Sequence, residues 1–265
     1  MQKQKPQLSV EFAGQVAVVT GAAQGIGRAI AEELQRRGAR LILVDRNREG
    51  VAAAAESMRA SQGSQVDSLV ANLAEPAEID ALAARVQGLA RQVDVLVNNA
   101  GIELDLPLGQ ITAESFDRVM AVNLRAPLLL SQALAGQFPA GGGAIVNISS
   151  IHSSHAFANA IPYACSKAGL VALTRNLALE LASRRIRVNA VCPGYIDTPL
   201  WDEWLRGAAD PAALAEQTEA LHPLGRRGVP ADVASAVAFL ASSQAGWVTG
   251  THLVVDGGLT VRAHP

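Results

Sequence analysis

The sequence has few of the features that mark several common classes of protein. Aromatic residues make up only 4% of its 265 residues, and 22 Lys and Arg are balanced by 24 Asp and Glu. Without a basic excess, the chain lacks the charge that binding to a nucleic-acid backbone requires. No run of about 18 apolar residues occurs, and the polar N-terminus around Pro6 has no signal-peptide character. We therefore expect no nucleic-acid or membrane partner and a cytoplasmic location.

Cysteine is also scarce. Cys165 and Cys192 are the two cysteines of the chain, and neither belongs to a CxxC motif or a His/Cys cluster. We therefore predict no metal site and expect two small, buried and reduced thiols rather than a redox pair.

What the sequence does contain is a regular alternation of short apolar runs and longer helical patterns. Strands are predicted at residues 15–20, 40–45, 66–71, 93–98, 144–148, 187–191 and 252–255. Helices are predicted at residues 25–37, 48–60, 76–89, 113–137, 162–182 and 230–241. Strands that are apolar on both faces must be covered on both faces, and intervening helices do this. The pattern predicts a single α/β domain over residues 1–265, built on a doubly wound parallel sheet of about seven strands. Residues 195–230 are predicted to form a substrate-loop insertion beside the carboxyl ends of the strands.

The first predicted strand leads into the first helix through residues 20–27 (TGAAQGIG). Gly21, Gly25 and Gly27 allow a tight turn and close approach of a pyrophosphate to a helix N-terminus. Asp45 lies 18 residues beyond Gly27 and ends the second strand. An acid there accepts hydrogen bonds from ribose hydroxyls and repels a 2′-phosphate, which favours NAD over NADP. The guanidinium of Arg46 could instead hold that phosphate, so NADP stays open.

The chain resembles the short-chain dehydrogenase/reductase family over nearly its whole length. The matching residues, in chain order, are 20–27 (TGAAQGIG), 98–101 (NNAG), Asn123, Ser150, 163–167 (YACSK) and Pro193-Gly194. The resemblance implies a single Rossmann domain and hydride transfer between NAD(P) and a carbonyl or alcohol. It implies that Tyr163 is the general acid/base, Ser150 holds the substrate oxygen, Lys167 binds the nicotinamide ribose and tunes Tyr163, and Asn123 supports a water relay.

Elementary electrostatics agrees with these roles. Tyr163 and Lys167 are four residues apart on one helix, so their side chains share a face. An ammonium roughly 4.5 Å from the phenol favours the phenolate by about 3.7 kcal/mol at an effective dielectric constant near 20. We therefore expect Lys167 to lower the pKa of Tyr163 towards neutrality, where an acid/base catalyst is most useful.

The cofactor contacts follow from the glycine turn, Asp45 and the resemblance. They are Gly21, Gln24, Gly25, Ile26, Gly27, Asp45, Arg46, Asn72, Leu73, Asn99, Ala100, Gly101, Tyr163, Lys167, Pro193, Gly194, Ile196 and Thr198. By the resemblance, the backbone of Ile196 holds the carboxamide and Thr198 reaches the diphosphate. The family often has an acid and a β-branched residue where this chain has Asn72 and Leu73, although the amide oxygen of Asn72 can still accept from the adenine amine.

Polar and aromatic residues surround the predicted catalytic residues. The predicted substrate contacts are Glu103, Ser150, His152, His155, Tyr163, Tyr195, Trp201 and Trp204. They suit a polyhydroxylated substrate, with tryptophan against sugar C–H groups; alternatively, the tryptophans anchor the insertion and the histidines are solvated. Residues 193–205 and 222–226 resemble family members that oxidise L-fucose and related sugars, and one related member is a 17β-hydroxysteroid enzyme.

Three functions are therefore open. The first is an NAD-dependent dehydrogenase of a secondary alcohol, a sugar or polyol. The second is an NADP-linked reductase of β-ketoacyl or steroid carbonyls, and the third is an NAD-binding protein without catalysis. The resemblance also implies a homotetramer, with contacts through residues 125–137, 162–182 and 246–265.

Overall fold

A computed structural model describes residues 10–62 and 65–262 of the chain. Its strands are β1 (Val16–Thr20), β2 (Arg40–Asp45), β3 (Val66–Val70), β4 (Val95–Asn98), β5 (Gly143–Ile148), β6 (Ile186–Pro193) and β7 (His252–Val255). They form one sheet in the order β3-β2-β1-β4-β5-β6-β7, and every neighbouring pair is parallel. The predicted fold class is confirmed. Since the strand order reverses between β1 and β4, a crevice is expected at their carboxyl ends.

Helices cover both faces of the sheet. They are α1 (Gly25–Arg36), α2 (Arg48–Gln62), α3 (Pro76–Leu89), α4 (Ala113–Met120), α5 (Ala126–Ala135), α6 (Ile161–Leu181), α7 (Pro199–Arg206), α8 (Pro211–Ala220) and α9 (Pro230–Ala241). Successive strand residues point to opposite faces: Val19 of β1 packs with α1, α2 and α9, and Val18 packs with α3 and α5. No helix of the described chain is both long and apolar enough to cross a bilayer.

The predicted helix over residues 113–137 is interrupted. It consists of α4, a π-helical turn (Ala121–Arg125) and α5, and the N–H of Ala126 donates to the carbonyl of Ala121, five residues back. A π-helical turn adds a residue to the helix without ending its apolar pattern, so periodicity alone predicted one continuous helix. It places Asn123 inside the protein, 1% exposed.

The insertion at residues 195–230 contains α7 and α8. Arg227 holds this segment together internally, because its guanidinium lies 4.9 Å from the ring centroid of Trp201 and its Nε donates to Asp197 at 2.7 Å. The absence of a targeting signal was predicted from the N-terminal residues. Of these, residues 1–9 lie outside the described part of the chain.

Candidate active site

The turn from β1 into α1 has room for a phosphate group against its backbone. Gly21 (φ +65°) and Gly25 (φ +56°) adopt left-handed conformations that favour glycine. A Cβ on Gly27 would lie 2.1 Å from the carbonyl oxygen of Gly21. No side chain of the described residues caps α1, and its first turn contains no acid. The first N–H groups of the helix are therefore available to an anion.

The segment after β4 is tied to this turn. Thr20 Oγ1 accepts from the backbone N–H groups of Asn99 and Ala100, both at 3.0 Å. Asn99 Nδ2 donates to the carbonyl oxygens of Thr20 at 2.9 Å and Gly21 at 3.1 Å. Asn99 therefore braces the glycine turn and sets the position of the chain that leads to Gly101.

Asp45 also supports the turn. Its Oδ2 accepts from the N–H of Ala23 at 3.0 Å, and its Oδ1 accepts from the N–H of Asn47 at 2.9 Å. Each carboxylate oxygen keeps a second lone pair, so Asp45 can still accept from ribose hydroxyls. Arg46 beside it is exposed.

An open cleft runs from the carboxyl end of β3, across the glycine turn, to the start of α7. Most of the predicted cofactor residues line it, namely Gly21, Gln24, Gly25, Ile26, Gly27, Asp45, Arg46, Asn72, Leu73, Asn99, Ala100, Gly101 and Thr198. Ile102, Val122, Pro199 and Leu200 also line it, and sequence reasoning did not select them. The uncapped N-terminus of α1 offers free N–H groups in this cleft, and the glycines of the turn leave room beside it. Both features fit a bound dinucleotide. Tyr163, Lys167, Pro193, Gly194 and Ile196 do not line this part of the cleft.

Asn72 is less free to contact adenine than the sequence predicted. Its amide oxygen accepts from the N–H of Ala74 at 3.2 Å, and its own N–H donates to Glu78 at 2.7 Å. One lone pair of the amide oxygen is thus already used in a turn before α3, which reduces what it can offer to adenine. Leu73 is 8% exposed and packs in the core.

The chain after β6 closes the other side of the cleft. A Cβ on Gly194 would lie 2.9 Å from Asp256 Cβ. Ile196 is buried and pairs with Gly228 in an isolated bridge. Thr198 caps α7 and sits across from the glycine turn, 3.6 Å from where a Cβ of Gly25 would be.

Three predicted catalytic side chains meet where β5 ends and α6 begins. Ser150 follows β5, and Tyr163 and Lys167 lie one turn apart on α6. Lys167 Nζ lies 5.3 Å from the ring centroid of Tyr163 and donates to the carbonyl of Ile148 at 2.8 Å. A side-chain hydrogen bond joins Tyr163 to Ser150.

The electrostatics of this cluster corrects one expectation. Burial raises the pKa of Tyr163 above its usual value of 10, the Glu103 carboxylate raises it further, and the Ser150 hydrogen bond opposes the rise only in part. Burial also lowers the pKa of Lys167 to about 8. The predicted lowering of the Tyr163 pKa is therefore wrong for the chain's own groups, because burial and the Glu103 carboxylate disfavour the phenolate by more than the Ser150 hydrogen bond favours it.

Asn123 uses its side chain to position a loop. Its Oδ1 accepts from the N–H of Ile102 and its Nδ2 donates to the Ile102 carbonyl, both at 2.9 Å. Nδ2 also donates to Ser166 Oγ at 3.0 Å. Asn123 therefore clamps the loop after β4 against α6, near Lys167.

That loop brings two carboxyl groups towards Tyr163. Burial raises the pKa of Glu103 to about 7, Asp105 adds to the rise, and Lys167 opposes it. Burial also raises the pKa of Asp105. Sequence reasoning selected Glu103 and missed Asp105, because an irregular loop has no periodicity that shows which side chains turn inwards.

The rings near Tyr163 form a continuous aromatic wall. We use this term for His152, Phe157, Tyr163, Tyr195, Trp201 and Trp204. His152 stacks on Phe157 at 4.0 Å between centroids and meets Tyr163 edge-on at 5.1 Å. Tyr195 contacts Phe157 at 6.3 Å, Trp201 at 5.7 Å and Trp204 at 6.3 Å. Phe157, which sequence reasoning missed, joins the two halves of the wall.

The two tryptophans of the wall differ in exposure. Trp201 is 7% exposed and lies under Arg227, as expected of an anchor for the insertion, whereas Trp204 is 39% exposed. His155 stands apart from the wall: it is exposed, and its Nδ1 hydrogen-bonds to Ser154 Oγ at 3.0 Å.

Comparison with known proteins finds a matching family profile and full-length relatives among oxidoreductases. A family profile described as enoyl-(acyl carrier protein) reductase matches residues 21–260. D-threitol dehydrogenase of Mycolicibacterium smegmatis is 36% identical over 268 residues, covering 98% of this chain and 99% of that protein. Cis-4-hydroxycyclohexanecarboxylate dehydrogenase of Sinomonas cyclohexanicum is 41% identical over 251 residues, covering 94% and 98%.

The fold of a solved enzyme complex is also close. The crystal structure of L-sorbose reductase from Gluconobacter frateurii, complexed with NADPH and L-sorbose, superposes with a TM-score of 0.92 at 30% identity, covering 96% of this chain and 100% of that one. The profile match and the full-length relatives agree with the motifs and with the sheet. The chain belongs to the short-chain dehydrogenase/reductase family and is an NAD(P)-dependent oxidoreductase of alcohols and carbonyl compounds.

Proposed function

We propose that Tyr163 is the general acid/base of this enzyme and that Ser150 and Lys167 act beside it. The observation that carries the proposal is the cluster of these three side chains at one edge of the sheet. For alcohol oxidation, the phenolate form of Tyr163 would accept the hydroxyl proton at Oη, the bound cofactor would supply the hydride acceptor, and Ser150 Oγ would hydrogen-bond the substrate oxygen. Burial raises the pKa of Tyr163, so the phenol stays protonated in the free enzyme, which is the form that protonates a carbonyl during reduction. Asn123 positions the loop opposite Lys167, and a water relay through it stays a prediction.

The residues that would hold the cofactor are those of the glycine turn, with Asp45, Asn99 and Thr198 around it and Lys167 towards the nicotinamide ribose. Bound NAD⁺ supplies the hydride acceptor and a positive ring near Tyr163. We infer a preference for NAD over NADP, because the Asp45 carboxylate at the end of β2 repels a 2′-phosphate. Fluorescence titration should give at least about tenfold tighter binding of NAD. Tighter binding of NADP would assign Arg46 as a phosphate ligand instead.

The substrate we infer is a sugar or polyol. Two relatives are named for D-threitol and L-sorbose, and the partly exposed Trp204 offers an aromatic face to C–H groups. The description of the matching family profile favours a different substrate, an acyl-carrier thioester. A steady-state screen of sugars, polyols, steroids and β-keto esters, each with NAD and NADP, separates these substrates.

The variant Tyr163→Phe tests the mechanism. Turnover should fall by about 10²–10⁴-fold because the proton acceptor is gone, while NAD affinity measured by fluorescence stays within about threefold. The predicted burial of Cys165 is wrong, because this residue is exposed on the same helix. Cys165→Ala is therefore the control and should keep full turnover. Undiminished turnover in Tyr163→Phe would remove this residue from the mechanism.

We also propose a cytoplasmic homotetramer. Trp247 is fully exposed, and Leu253 and Val254 are 37% and 39% exposed on the edge strand β7, which supports packing of this edge against another subunit. The expected contact segment 246–265 extends past the described residues at 263–265. Light scattering should give four times the chain mass, and a monomer would contradict the proposal.

A further inference from the structure

Glu103 holds a fixed place beside Tyr163 without a hydrogen-bond partner of its own. Its loop is clamped on one side, where Asn123 makes two hydrogen bonds to Ile102. On the other side, the N–H of Leu106 donates to the Asn159 carbonyl at 2.8 Å. The Glu103 side chain is half-buried, and no residue of the described chain pairs with it by a hydrogen bond or salt bridge. A carboxylate held in this way is available to a ligand.

The groups around Glu103 leave its charge poorly balanced. Asp105 on its own loop and Tyr195 beyond β6 interact with it, as do Tyr163 and Lys167 on α6. Lys167 is the nearby cation, and its Nζ already donates to a backbone carbonyl. Asp105 is a second acid and adds to the imbalance. His152 and Cys192 supply no positive charge at pH 7, because burial lowers the pKa of His152 to about 4 and raises that of the Cys192 thiol.

His152 is a second unsatisfied group near Tyr163. Its Nδ1 is buried and has no partner among the described residues, while its ring is held between Phe157 and Tyr163. A neutral imidazole can donate to one hydroxyl or accept from it, but it offers no positive charge to an anion.

We propose that Glu103 selects uncharged, hydroxylated substrates by accepting a hydrogen bond from the hydroxyl next to the reacting carbon and repelling a carboxylate or phosphate placed there. His152 provides a second, neutral hydrogen-bonding group for such a substrate. This inference rests on the proposed function and identifies what sets the substrate class at that site. It also separates this enzyme from one that takes hydroxy acids.

The test uses three alcohols that share the same reacting group: butane-2,3-diol, butan-2-ol and 3-hydroxybutyrate. At pH 8.5 the wild-type kcat/KM for the diol should exceed that for 3-hydroxybutyrate by about 100-fold or more, since a buried charge opposes the anion. Glu103→Gln, which removes the charge and keeps the shape, should reduce this ratio by about tenfold or more. The rate with butan-2-ol, which has no neighbouring hydroxyl, corrects both values for any change in the proton affinity of Tyr163. Glu180→Gln, exposed on α6, is the control and should keep the wild-type ratio.

Two further measurements sharpen the result. His152→Phe keeps the ring stack and loses both nitrogens, so it should lower kcat/KM for the diol by about tenfold relative to butan-2-ol, and His152→Asn should recover part of the loss. The wild-type diol preference should shrink at pH 6, where Glu103 is mostly protonated.

A ratio of kcat/KM for the diol to kcat/KM for 3-hydroxybutyrate that is the same in Glu103→Gln as in wild type would overturn the inference. If the wild type oxidises none of the three alcohols with NAD or NADP, the proposed function itself fails.

Discussion

Replacing Lys167 with methionine should stabilise the folded protein near neutral pH while abolishing turnover. Lys167 is 4% exposed, and its Nζ makes one hydrogen bond, to the Ile148 carbonyl. Burial lowers the pKa of this lysine from 10.5 to about 8. Holding the ammonium in the folded state below pH 8 therefore costs roughly 3 kcal/mol, at about 1.36 kcal/mol for each tenfold change in proton affinity. Methionine removes this cost and leaves the Ile148 carbonyl unpaired, a loss of about 1–2 kcal/mol. The net gain expected is about 1–2 kcal/mol.

The pH dependence of the gain identifies its cause. Between pH 8 and pH 10.5 the unfolded chain binds more protons at Lys167 than the folded chain does. Wild-type stability therefore rises with pH across this window, and Lys167→Met does not share the rise. The advantage of the variant should shrink by about 2 kcal/mol between pH 7.5 and pH 9.5. The pH effects of the tyrosines are present in both proteins and cancel in the comparison. Glu103 and Cys192 lose a nearby cation in the variant, so their pKa values rise there.

Urea unfolding followed by far-ultraviolet circular dichroism, at one fixed protein concentration, measures this difference. Lys167→Arg is the control: it keeps a cation at both pH values, so it should be destabilised at both and should not regain stability at pH 9.5. The reasoning is refuted if the gap between wild type and Lys167→Met does not change with pH, or if the variant is the less stable protein at pH 7.5.

Three further predictions concern other parts of the fold and site. Gly27→Ala should abolish dinucleotide binding in a fluorescence titration, because the new Cβ would lie 2.1 Å from the Gly21 carbonyl oxygen. The control Gly136→Ala should bind normally, because a Cβ there would have no atom within 4 Å. Equal binding by the two variants would refute the steric argument. Arg187→Ala should lower Tm by about 5–10 °C, which corresponds to a loss of about 2–4 kcal/mol in the free energy of unfolding. The reason is that the Arg187 guanidinium donates to four carbonyl groups around the end of α9. An unchanged melting temperature would show that these hydrogen bonds make no net contribution to stability. The stability of wild type relative to Glu103→Gln should fall as pH rises from about 4.5 to about 7, since the folded-state pKa of this acid lies above its unfolded value. Parallel stability curves for the two proteins over that range would contradict this.

The sheet could be predicted from sequence because its strands are apolar on both faces, and that pattern has few solutions besides a parallel sheet covered by helices. Local chemistry was equally informative at the glycine turn, where backbone conformation restricts the residue type at Gly21 and Gly25 and close packing restricts it at Gly27. Strand limits were less certain. β4 begins at Val95 rather than at residue 93, and β6 extends to Pro193 rather than ending at residue 191. Pairing with β5 and β7, not local composition, sets the limits of β6.

Contacts between segments distant in the chain could not be predicted in the same way. Asn98 donates to Asn147 at 2.8 Å, and Asn147 donates to Thr174 at 2.9 Å, which makes a buried polar link between β4, β5 and α6. Arg187 supports the end of a helix more than fifty residues away. Each of these side chains, taken alone, is an ordinary polar residue, and its partner is set by the fold.

The pKa of Tyr163 shows why the chemistry of the site was harder to predict than its position. The spacing of Tyr163 and Lys167 placed both on one helical face, and the structure brings them together. Whether the pKa of Tyr163 rises or falls depends on two things that the spacing does not show. One is how deeply the phenol is buried, and the other is that the Glu103 carboxylate opposes its ionisation. Glu103 raises the pKa of Tyr163 and, in our proposal, also binds the substrate. The charge of the substrate should therefore affect the proton affinity of the catalytic phenol. A substrate hydroxyl that hydrogen-bonds to Glu103 withdraws part of its negative charge from Tyr163, so an uncharged polyol should ease ionisation of the phenol, whereas an anion bound there should hinder it.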